Sequence, residues 1–148
     1  MLLLLIIADD FTGALDTGVQ FAAYGAATRV MVKDQVDFAS CDAQVLVVDT
    51  ETRHLPPEKA YQIVEELTRA ACRAGIRYIY KKTDSALRGN IGAELAAVLQ
   101  ASNNRQLPFL PAFPQNGRTT RDGIHYVDGV PVLSLIHISE PTRLRCIS

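Results

Sequence analysis

The sequence predicts an α/β domain built on a doubly wound, mostly parallel sheet flanked by helices, with a C-terminal β-hairpin. The chain opens on an uninterrupted apolar run at residues 2–7, which is typical of a parallel strand buried on both faces. Strand-like and helix-like segments then alternate, and this order implies right-handed βαβ crossovers. A polar cluster follows each of three predicted strands. Because such strand ends meet at one edge of the sheet, the sequence predicts a binding crevice there.

The first part of the chain predicts three strands and one helix. After the strand at residues 2–7, apolar residues at helical spacing predict a helix over residues 14–24, with Gly25 in the position of a C-cap glycine. Residues 28–32 form a short β-branched strand, and residues 44–48 form an apolar one.

The second part predicts two more helices, two more strands and a hairpin. The longest helix begins at the proline pair of residues 56–57 and runs to residue 74. The Asp128-Gly129 pair indicates a tight hairpin turn within residues 126–132. The other predicted elements are a strand at 77–80, a polar loop at 81–90, a helix at 91–99 and, despite its prolines, a strand at 107–112.

Composition points to one domain with no nucleic-acid or membrane partner. The chain has 148 residues, 48% of them hydrophobic, and a net charge of −1, so there is no basic surface for nucleic acid. The N-terminal leucine run is too short and too acidic at its end for a secretory signal, and no apolar run reaches a membrane span. Three scattered cysteines indicate neither a disulfide framework nor a zinc site, so we expect a reducing cytoplasm. His54 and His125 have no partner at metal-ligand spacing, which favours surface or packing roles.

Asp9 and Asp10 follow the first buried strand directly. One of them is expected to cap the following helix. A second carboxylate beside a buried strand is costly. This cost favours a role in binding a ligand, binding a metal or transferring a proton. Gly13 in the same turn lets backbone amides approach an anion at the helix N-terminus.

The polar loop at 81–90 contains both hydrogen-bond donors and acceptors, as recognition of a polyhydroxy anion requires. Arg88 or a lysine pairs well with a carboxylate or phosphate, while Asp84 and Ser85 suit sugar hydroxyls. The alternative is a solvated loop in which Asp84 or Ser85 caps the next helix. Arg53, after the strand at 44–48, is either a second guanidinium of the site or an exposed loop arginine. The sequence has no Walker A or GxGxxG pattern, so no nucleotide phosphate cradle is expected in this chain.

Four motifs, in this order and spacing, resemble the N-terminal domain of the four-carbon acid sugar kinases. They are ADDFTGALDTG (8–18), DTETR (49–53), YKKTDSALRGNIGAEL (80–95) and PAFPQNGRTT (111–120). The resemblance implies phosphorylation of threonate, erythronate or 3-oxotetronate with ATP. It also implies that the N-terminal domain binds the sugar acid and a separate C-terminal domain binds ATP.

By the same resemblance, Arg53 and Lys82 are expected to contact the substrate carboxylate, and Asp10 and Asp84 its hydroxyls. Asp10 and Asp84 are also the two candidates for the catalytic base. Asn116 and Arg118 are either second-tier contacts or parts of a rigid proline-rich turn. The full set of expected substrate-binding residues is Asp9, Asp10, Arg53, Lys82, Thr83, Asp84, Ser85, Arg88, Asn116 and Arg118.

The resemblance ends near Leu133, which divides the chain into a sugar-acid-binding domain at 1–132 and a non-family tail at 133–148. We expect the tail to be a translated read-through artefact and the C-terminal ATP-binding domain to be missing. ATP and Mg²⁺ then belong to the full-length enzyme, and this fragment alone would bind no cofactor or metal and show no turnover. A non-catalytic sugar-acid-binding module, an inactive gene fragment and a metal-dependent phosphatase are the alternatives. A homodimer is compatible with this assignment.

Overall fold

The computed structural model describes residues 1–104 and 106–135, which form a parallel sheet with helices on both faces and a smaller antiparallel sheet. The elements of the first part are β1 (Leu4–Ala8), α1 (Phe11–Ala23), β2 (Thr28–Val32), β3 (Val45–Asp49), α2 (Pro57–Arg73), β4 (Tyr78–Lys82) and α3 (Ile91–Ser102). The elements of the second part are β5 (Arg118–Arg121), β6 (Ile124–Val127) and β7 (Val130–Pro131). Short 3₁₀ turns occupy Lys33–Gln35, Pro114–Asn116 and Val132–Ser134.

The parallel sheet has the strand order β2-β3-β1-β4, so β1 lies between β3 and β4. Ala8 at the end of β1 is level with Asp49 in β3 and with Lys82 in β4. The three strand ends therefore stop at one edge of the sheet. The apolar run of β1 is explained by this position, because a central strand is covered on both faces.

Two apolar clusters, one on each face of the sheet, form the core. In one cluster, Ala14 of α1 packs on Ile6, Ala8, Val45 and Val47 of the sheet. On the opposite face, residues of α2 (Val64, Ala71) and α3 (Ala97, Val98) pack with Ile76 against Leu5, Ile7, Leu46 and Val48 of the sheet. Each fully buried Leu or Ile stabilises the fold by about 1.5–3 kcal/mol. The predicted doubly wound architecture is confirmed.

The predicted strand at 107–112 is wrong, because this segment joins neither sheet. Pro108 and Pro111 have no backbone N–H, so the segment lacks donors that a ladder needs. Within the described residues, β4 is consequently the edge strand of the parallel sheet.

The predicted hairpin is confirmed, and a second one precedes it. Asp128 and Gly129 have φ values of 50° and 81°, the left-handed pair that a tight hairpin turn between β6 and β7 requires. Asp122 and Gly123, at 51° and 74°, form the same turn between β5 and β6. The sequence contained this second Asp-Gly signal, and our prediction overlooked it.

Most of the predicted tail, residues 136–148, lies outside the described residues, so the boundary near Leu133 stays a prediction. Among the described helices, none combines the length and apolar character needed to cross a membrane.

Candidate functional site

The polar clusters behind β1, β3 and β4 meet at the carboxyl edge of the parallel sheet, as the sequence predicted. We call Asp9, Asp10, Arg53, Asp84 and Arg88 the acid–arginine cluster. The members come from three strand ends: Asp9 and Asp10 follow β1, Arg53 follows β3, and Asp84 and Arg88 lie in the loop after β4. Their side chains contact one another directly, which sequence spacing alone does not require.

Arg53 is the centre of the cluster. Its Nε lies 2.8 Å from Asp9 Oδ2, its Nη2 lies 3.2 Å from Asp9 Oδ1 and its Nη1 lies 2.6 Å from Asp10 Oδ2. A further carboxylate, Asp84, has Oδ1 at 4.0 Å from Nη2. Burial acts to lower the pKa of Arg53, but Asp9, Asp10 and Asp84 outweigh it and raise the pKa above its usual value. Arg53 is thus a buried, charged centre, and the alternative of an exposed loop arginine is wrong.

The two adjacent aspartates have different roles. Asp10 is the N-cap of α1, and its Oδ1 accepts a hydrogen bond of 2.9 Å from the backbone N–H of Gly13. The side chain of Asp9 is only 4% exposed and pairs with Arg53, whereas that of Asp10 is 27% exposed. This division confirms that one aspartate caps the helix, whereas a ligand-binding, metal-binding or proton-transfer role for the other stays a prediction. Asp10 is therefore the more accessible of the two carboxylates.

Lys82 lies in front of the N-terminus of α1. A methyl group placed on Gly13 would be 3.3 Å from Lys82 Nζ and 2.7 Å from Asp10 Oδ1, so Gly13 keeps this space open. The Nζ donates to the Thr83 carbonyl oxygen at 2.8 Å. Among residues 1–104 and 106–135, no carboxylate forms an ion pair with Lys82. Its positive charge adds to that of the helix N-terminus.

Asp84 is held by Arg88 from the same loop. Arg88 Nε and Nη2 donate to its two oxygens at 2.7 and 3.0 Å, and the Arg88 backbone N–H donates at 3.1 Å. Burial acts to raise the pKa of Asp84, but the bonds from Arg88 and the charge of Arg53 outweigh it, so the pKa is lowered. The N-cap of α3 is Asn90, so the alternative in which Asp84 or Ser85 caps that helix is wrong.

The loop after β4 packs closely on the cluster. Gly89 has a φ of +92°, and a methyl group there would lie 3.3 Å from both Arg53 Cγ and Asp9 Oδ2. Leu87 also has a positive φ, of 60°, which is uncommon for a side chain of this size. The loop conformation therefore depends on contacts that hold it in place.

Asn116 and Arg118 lie apart from the cluster. Arg118 Nη1 donates to the Asn116 carbonyl oxygen and lies 3.8 Å from Asp128 Oδ1. Within the described ranges, no hydrogen bond or ion pair joins either residue to the acid–arginine cluster.

His125 connects the antiparallel sheet to the site. It is buried, with Nε2 at 2.7 Å from the Ser85 carbonyl oxygen and Nδ1 at 2.9 Å from Thr120 Oγ1. The packing role expected for His125 is confirmed. Through it the hairpins rest on the same loop that carries Asp84.

Asp49, which sequence reasoning did not single out, lies buried behind the aspartate pair. Its Oδ1 accepts a hydrogen bond of 3.0 Å from the Glu51 backbone N–H. Burial raises the pKa of Asp49, and the charges of Glu51, Asp10 and Asp9 act in the same direction. Its place at the end of β3 was a signal that we could have used.

The described side chains include no group of three or more His, Cys, Asp or Glu residues arranged to hold a metal ion. The carboxylates of Asp9, Asp10 and Asp84 instead accept hydrogen bonds from arginines. The cluster does not fit a resident metal centre.

Comparison with known proteins gives consistent matches. The family model described as the sugar-binding N-terminal domain matches residues 4–136. A D-threonate kinase of Salmonella typhimurium is 42% identical over 139 residues, covering 93% of this chain and 33% of the relative. A D-erythronate kinase of Heliobacterium modesticaldum is 36% identical, covering 86% of this chain and 30% of the relative. The chain therefore spans about a third of the length of the curated relatives that it matches.

Solved structures share the fold. A domain from Bordetella bronchiseptica, determined as a domain-swapped dimer with bound citrate, superposes with a TM-score of 0.80 at 38% identity, over 89% of this chain and 34% of that one. A Haemophilus influenzae protein gives a TM-score of 0.80 at 27% identity, over 93% of this chain and 34% of that one.

Proposed function

Because this chain belongs to the family of sugar-binding N-terminal domains, we propose that it is the substrate-binding part of a kinase for a four-carbon sugar acid. The observation that carries the proposal is the placement of Lys82 beside Asp10 at the N-terminus of α1, where no carboxylate of the described residues forms an ion pair with it. The names of the relatives support the substrate class, since they include D-threonate, D-erythronate and 3-oxo-tetronate kinases.

We assign the substrate carboxylate to Lys82 and Arg53. The Lys82 ammonium and the positive end of the α1 dipole both favour an anion at this place. Arg53 directs one N–H of each Nη at Asp9 or Asp10, so each Nη has a second N–H left to donate. A bound citrate in the related Bordetella bronchiseptica domain agrees with recognition of hydroxy acids.

We assign the substrate hydroxyls to Asp10 and Asp84, with Thr83, Ser85 and Arg88 in the same loop as further contacts. Of the two carboxylates, Asp10 is the better candidate for the base that accepts the proton of the attacking hydroxyl. Asp84 accepts three hydrogen bonds from Arg88 and has a lowered pKa, both of which weaken it as a base. Asp84 then orients the substrate.

The antiparallel sheet contributes at a distance in this proposal. Asn116 and Arg118 would act as second-tier contacts, reaching the substrate only from the rim of the crevice. Their support is the proximity of the hairpins to the Asp84 loop through His125.

ATP and Mg²⁺ would be held by the part of the longer relatives that lies beyond this chain. ATP supplies the phosphoryl group, and Mg²⁺ neutralises charge on it during transfer. This chain's residues would bind and orient the sugar acid, and Asp10 would accept its hydroxyl proton. Turnover by this chain alone is therefore not expected, and we place the complete enzyme in the cytoplasm.

Binding of small acids by this chain tests the proposal. Titration calorimetry with D-threonate, D-erythronate and 3-oxotetronate should give heat of binding for at least one acid. Lys82→Met should weaken that binding at least about tenfold, or about 1.4 kcal/mol. Arg73→Met is the matched control, since it removes an exposed cation from the far end of α2.

Three results would count against parts of the proposal. If the unaltered chain binds none of the three acids, the substrate-binding role fails. If Arg73→Met weakens binding as much as Lys82→Met, the effect reflects net charge and the assignment of the carboxylate to Lys82 fails. Heat of binding with ATP and Mg²⁺ alone would overturn the placement of the nucleotide outside this chain.

A further inference from the structure

A second charged pair, Lys81 and Glu94, lies on the opposite face of β4 from Lys82. Neighbouring residues of a strand point to opposite faces, and Lys81 therefore turns away from the crevice, toward α3. Its Nζ lies 2.7 Å from Glu94 Oε2, and the two side chains are 1% and 2% exposed. The same Nζ donates to the carbonyl oxygens of Ile7 at 3.2 Å and Lys82 at 2.8 Å. The ammonium group thus uses all three of its donors inside the protein.

Glu94 connects this pair to the segment that carries Arg53. Its other oxygen, Oε1, accepts a hydrogen bond of 2.6 Å from Thr52 Oγ1. Thr52 is fully buried and immediately precedes Arg53. Asn90, the N-cap of α3, donates to the Thr52 carbonyl oxygen at 2.9 Å and to that of Leu55 at 2.8 Å. The segment before Arg53 is tied to α3 through both its side chain and its backbone.

The segment needs such ties because its backbone is strained. Glu51, one residue before Thr52, has a φ of 50°, in the left-handed region that residues other than glycine rarely adopt. A residue held there costs about 1–3 kcal/mol, and the conformation persists only where surrounding contacts fix it. Arg53 in turn must keep three nitrogens within 2.6–3.2 Å of two different aspartates. A displacement of about 1 Å in such a constellation is enough to impair a site.

We propose that Lys81, Glu94 and Thr52 form a positioning unit that holds Arg53 in the geometry needed to bind the sugar acid. This inference rests on the proposed function, because it explains how the same crevice is preorganised. None of the three side chains touches the crevice. Their effect passes through the Thr52 backbone into Arg53, and from there to Asp9 and Asp10. Glu94 acts mainly as the acceptor for Thr52, and Lys81 compensates its charge.

The Lys81–Glu94 ion pair itself is not expected to stabilise the fold. A buried ion pair replaced by apolar residues of similar volume often leaves stability unchanged or raised, whereas removal of one partner is strongly destabilising. Two double variants therefore separate positioning from stability. Lys81→Met/Glu94→Gln keeps a side-chain oxygen that can accept from Thr52. Lys81→Met/Glu94→Met has the same size and no net charge, but it removes the Glu94 acceptor and leaves Thr52 only the Thr50 hydroxyl, 2.9 Å away in the unaltered chain.

The first measurement is the affinity of each variant for the four-carbon acid that the unaltered chain binds. Thermal unfolding of each variant checks that it folds. We expect the Gln variant to bind within about twofold of the unaltered chain and the Met variant to bind about tenfold more weakly, or 1.4 kcal/mol. Equal affinities of the two double variants, whether high or low, would overturn the inference.

The NMR signal of Arg53 Nε–H is the second measurement and needs no ligand. Hydrogen bonding to Asp9 should protect this proton from exchange. The Gln variant should retain the protection and the Met variant should lose it, and equal protection in both would overturn the inference. If the unaltered chain binds no acid, the proposed function fails, while this signal still decides whether Glu94 positions Arg53.

Discussion

The carboxyl edge of the parallel sheet and the antiparallel sheet are held together by different forces. At the edge, ionised side chains are buried against one another, with Asp9 only 4% and Arg53 only 12% exposed. In the antiparallel sheet, two Asp-Gly turns with positive φ set the strand pairing, and His125 forms hydrogen bonds with Thr120 and Ser85. Buried charge is expensive, and among the described residues it lies at this edge and in the neighbouring Lys81–Glu94 pair. The difference agrees with the proposal that the edge binds the substrate.

The two regions share one structural element, the loop after β4. Asp84 and Gly89 of this loop contact Arg53, while its Ser85 carbonyl accepts from His125. A change on either side is therefore transmitted to the loop. Substitutions in one region therefore test whether the other region is affected through this loop.

Arg53→Met should have the largest effect, because it leaves Asp9 buried without its counter-charge. We expect a loss of about 3 kcal/mol in the free energy of unfolding, measured by urea denaturation. Arg121→Met in β5 is the matched control, since Arg121 is exposed and lies over the Tyr126 ring with its Cζ 5.1 Å from the centroid. Its loss should stay below about 1 kcal/mol. Similar losses for the two variants would mean that both regions depend on charge to the same degree.

Gly89→Ala at the edge and Gly123→Ala in the antiparallel sheet should have effects of intermediate size on the free energy of unfolding. Both positions have positive φ, +92° and +74°, so both variants incur backbone strain of about 1 kcal/mol. At Gly123 no atom lies within 4 Å of the added methyl group, whereas at Gly89 Arg53 and Asp9 are at 3.3 Å. We expect Gly89→Ala to lose about 1 kcal/mol more, in urea denaturation, and it alone to shift the Arg53 Nε–H signal. Equal losses and an unchanged signal would show that the loop yields without disturbing the cluster.

The smallest expected effect is a pH dependence at Asp84. Because its pKa is lowered in the folded protein, Asp84 contributes stability that is present above its unfolded pKa near 4 and lost as the pH falls through the lower folded value. Arg88 is half exposed, so the contribution is at most about 1 kcal/mol. Urea midpoints between pH 6 and pH 2 should fall less steeply for Arg88→Gln than for the unaltered chain. Parallel curves would assign the acid sensitivity to other carboxylates.

The sequence predicted the sheet well because buried strands have a strong local pattern. β2 was predicted without error, and the ends of β1, β3 and β4 were predicted to meet at one edge, which brought Asp9 and Arg53 into the same site. The strand at 107–112 failed because apolar content was given more weight than the missing N–H groups of its prolines.

Sequence patterns could not predict which side chains form ion pairs within the site. Nothing local distinguishes an exposed Arg53 from one enclosed by two aspartates. Strand alternation does place Lys81 on the buried face of β4, but its partner Glu94 is on a different element and depends on how α3 packs. Charge pairs of this kind are decided by tertiary structure.

The neighbouring lysines of β4 also differ in chemical reactivity. Lys81 is 7% exposed with its ammonium enclosed by Glu94 and two carbonyls, while Lys82 is partly exposed and borders the crevice. An amine-directed reagent such as formaldehyde with a reductant should therefore methylate Lys82 in the native protein and spare Lys81. A sugar acid seated in the crevice should shield Lys82 in its turn. One step along the backbone separates an amine that reports occupancy from one that reports unfolding.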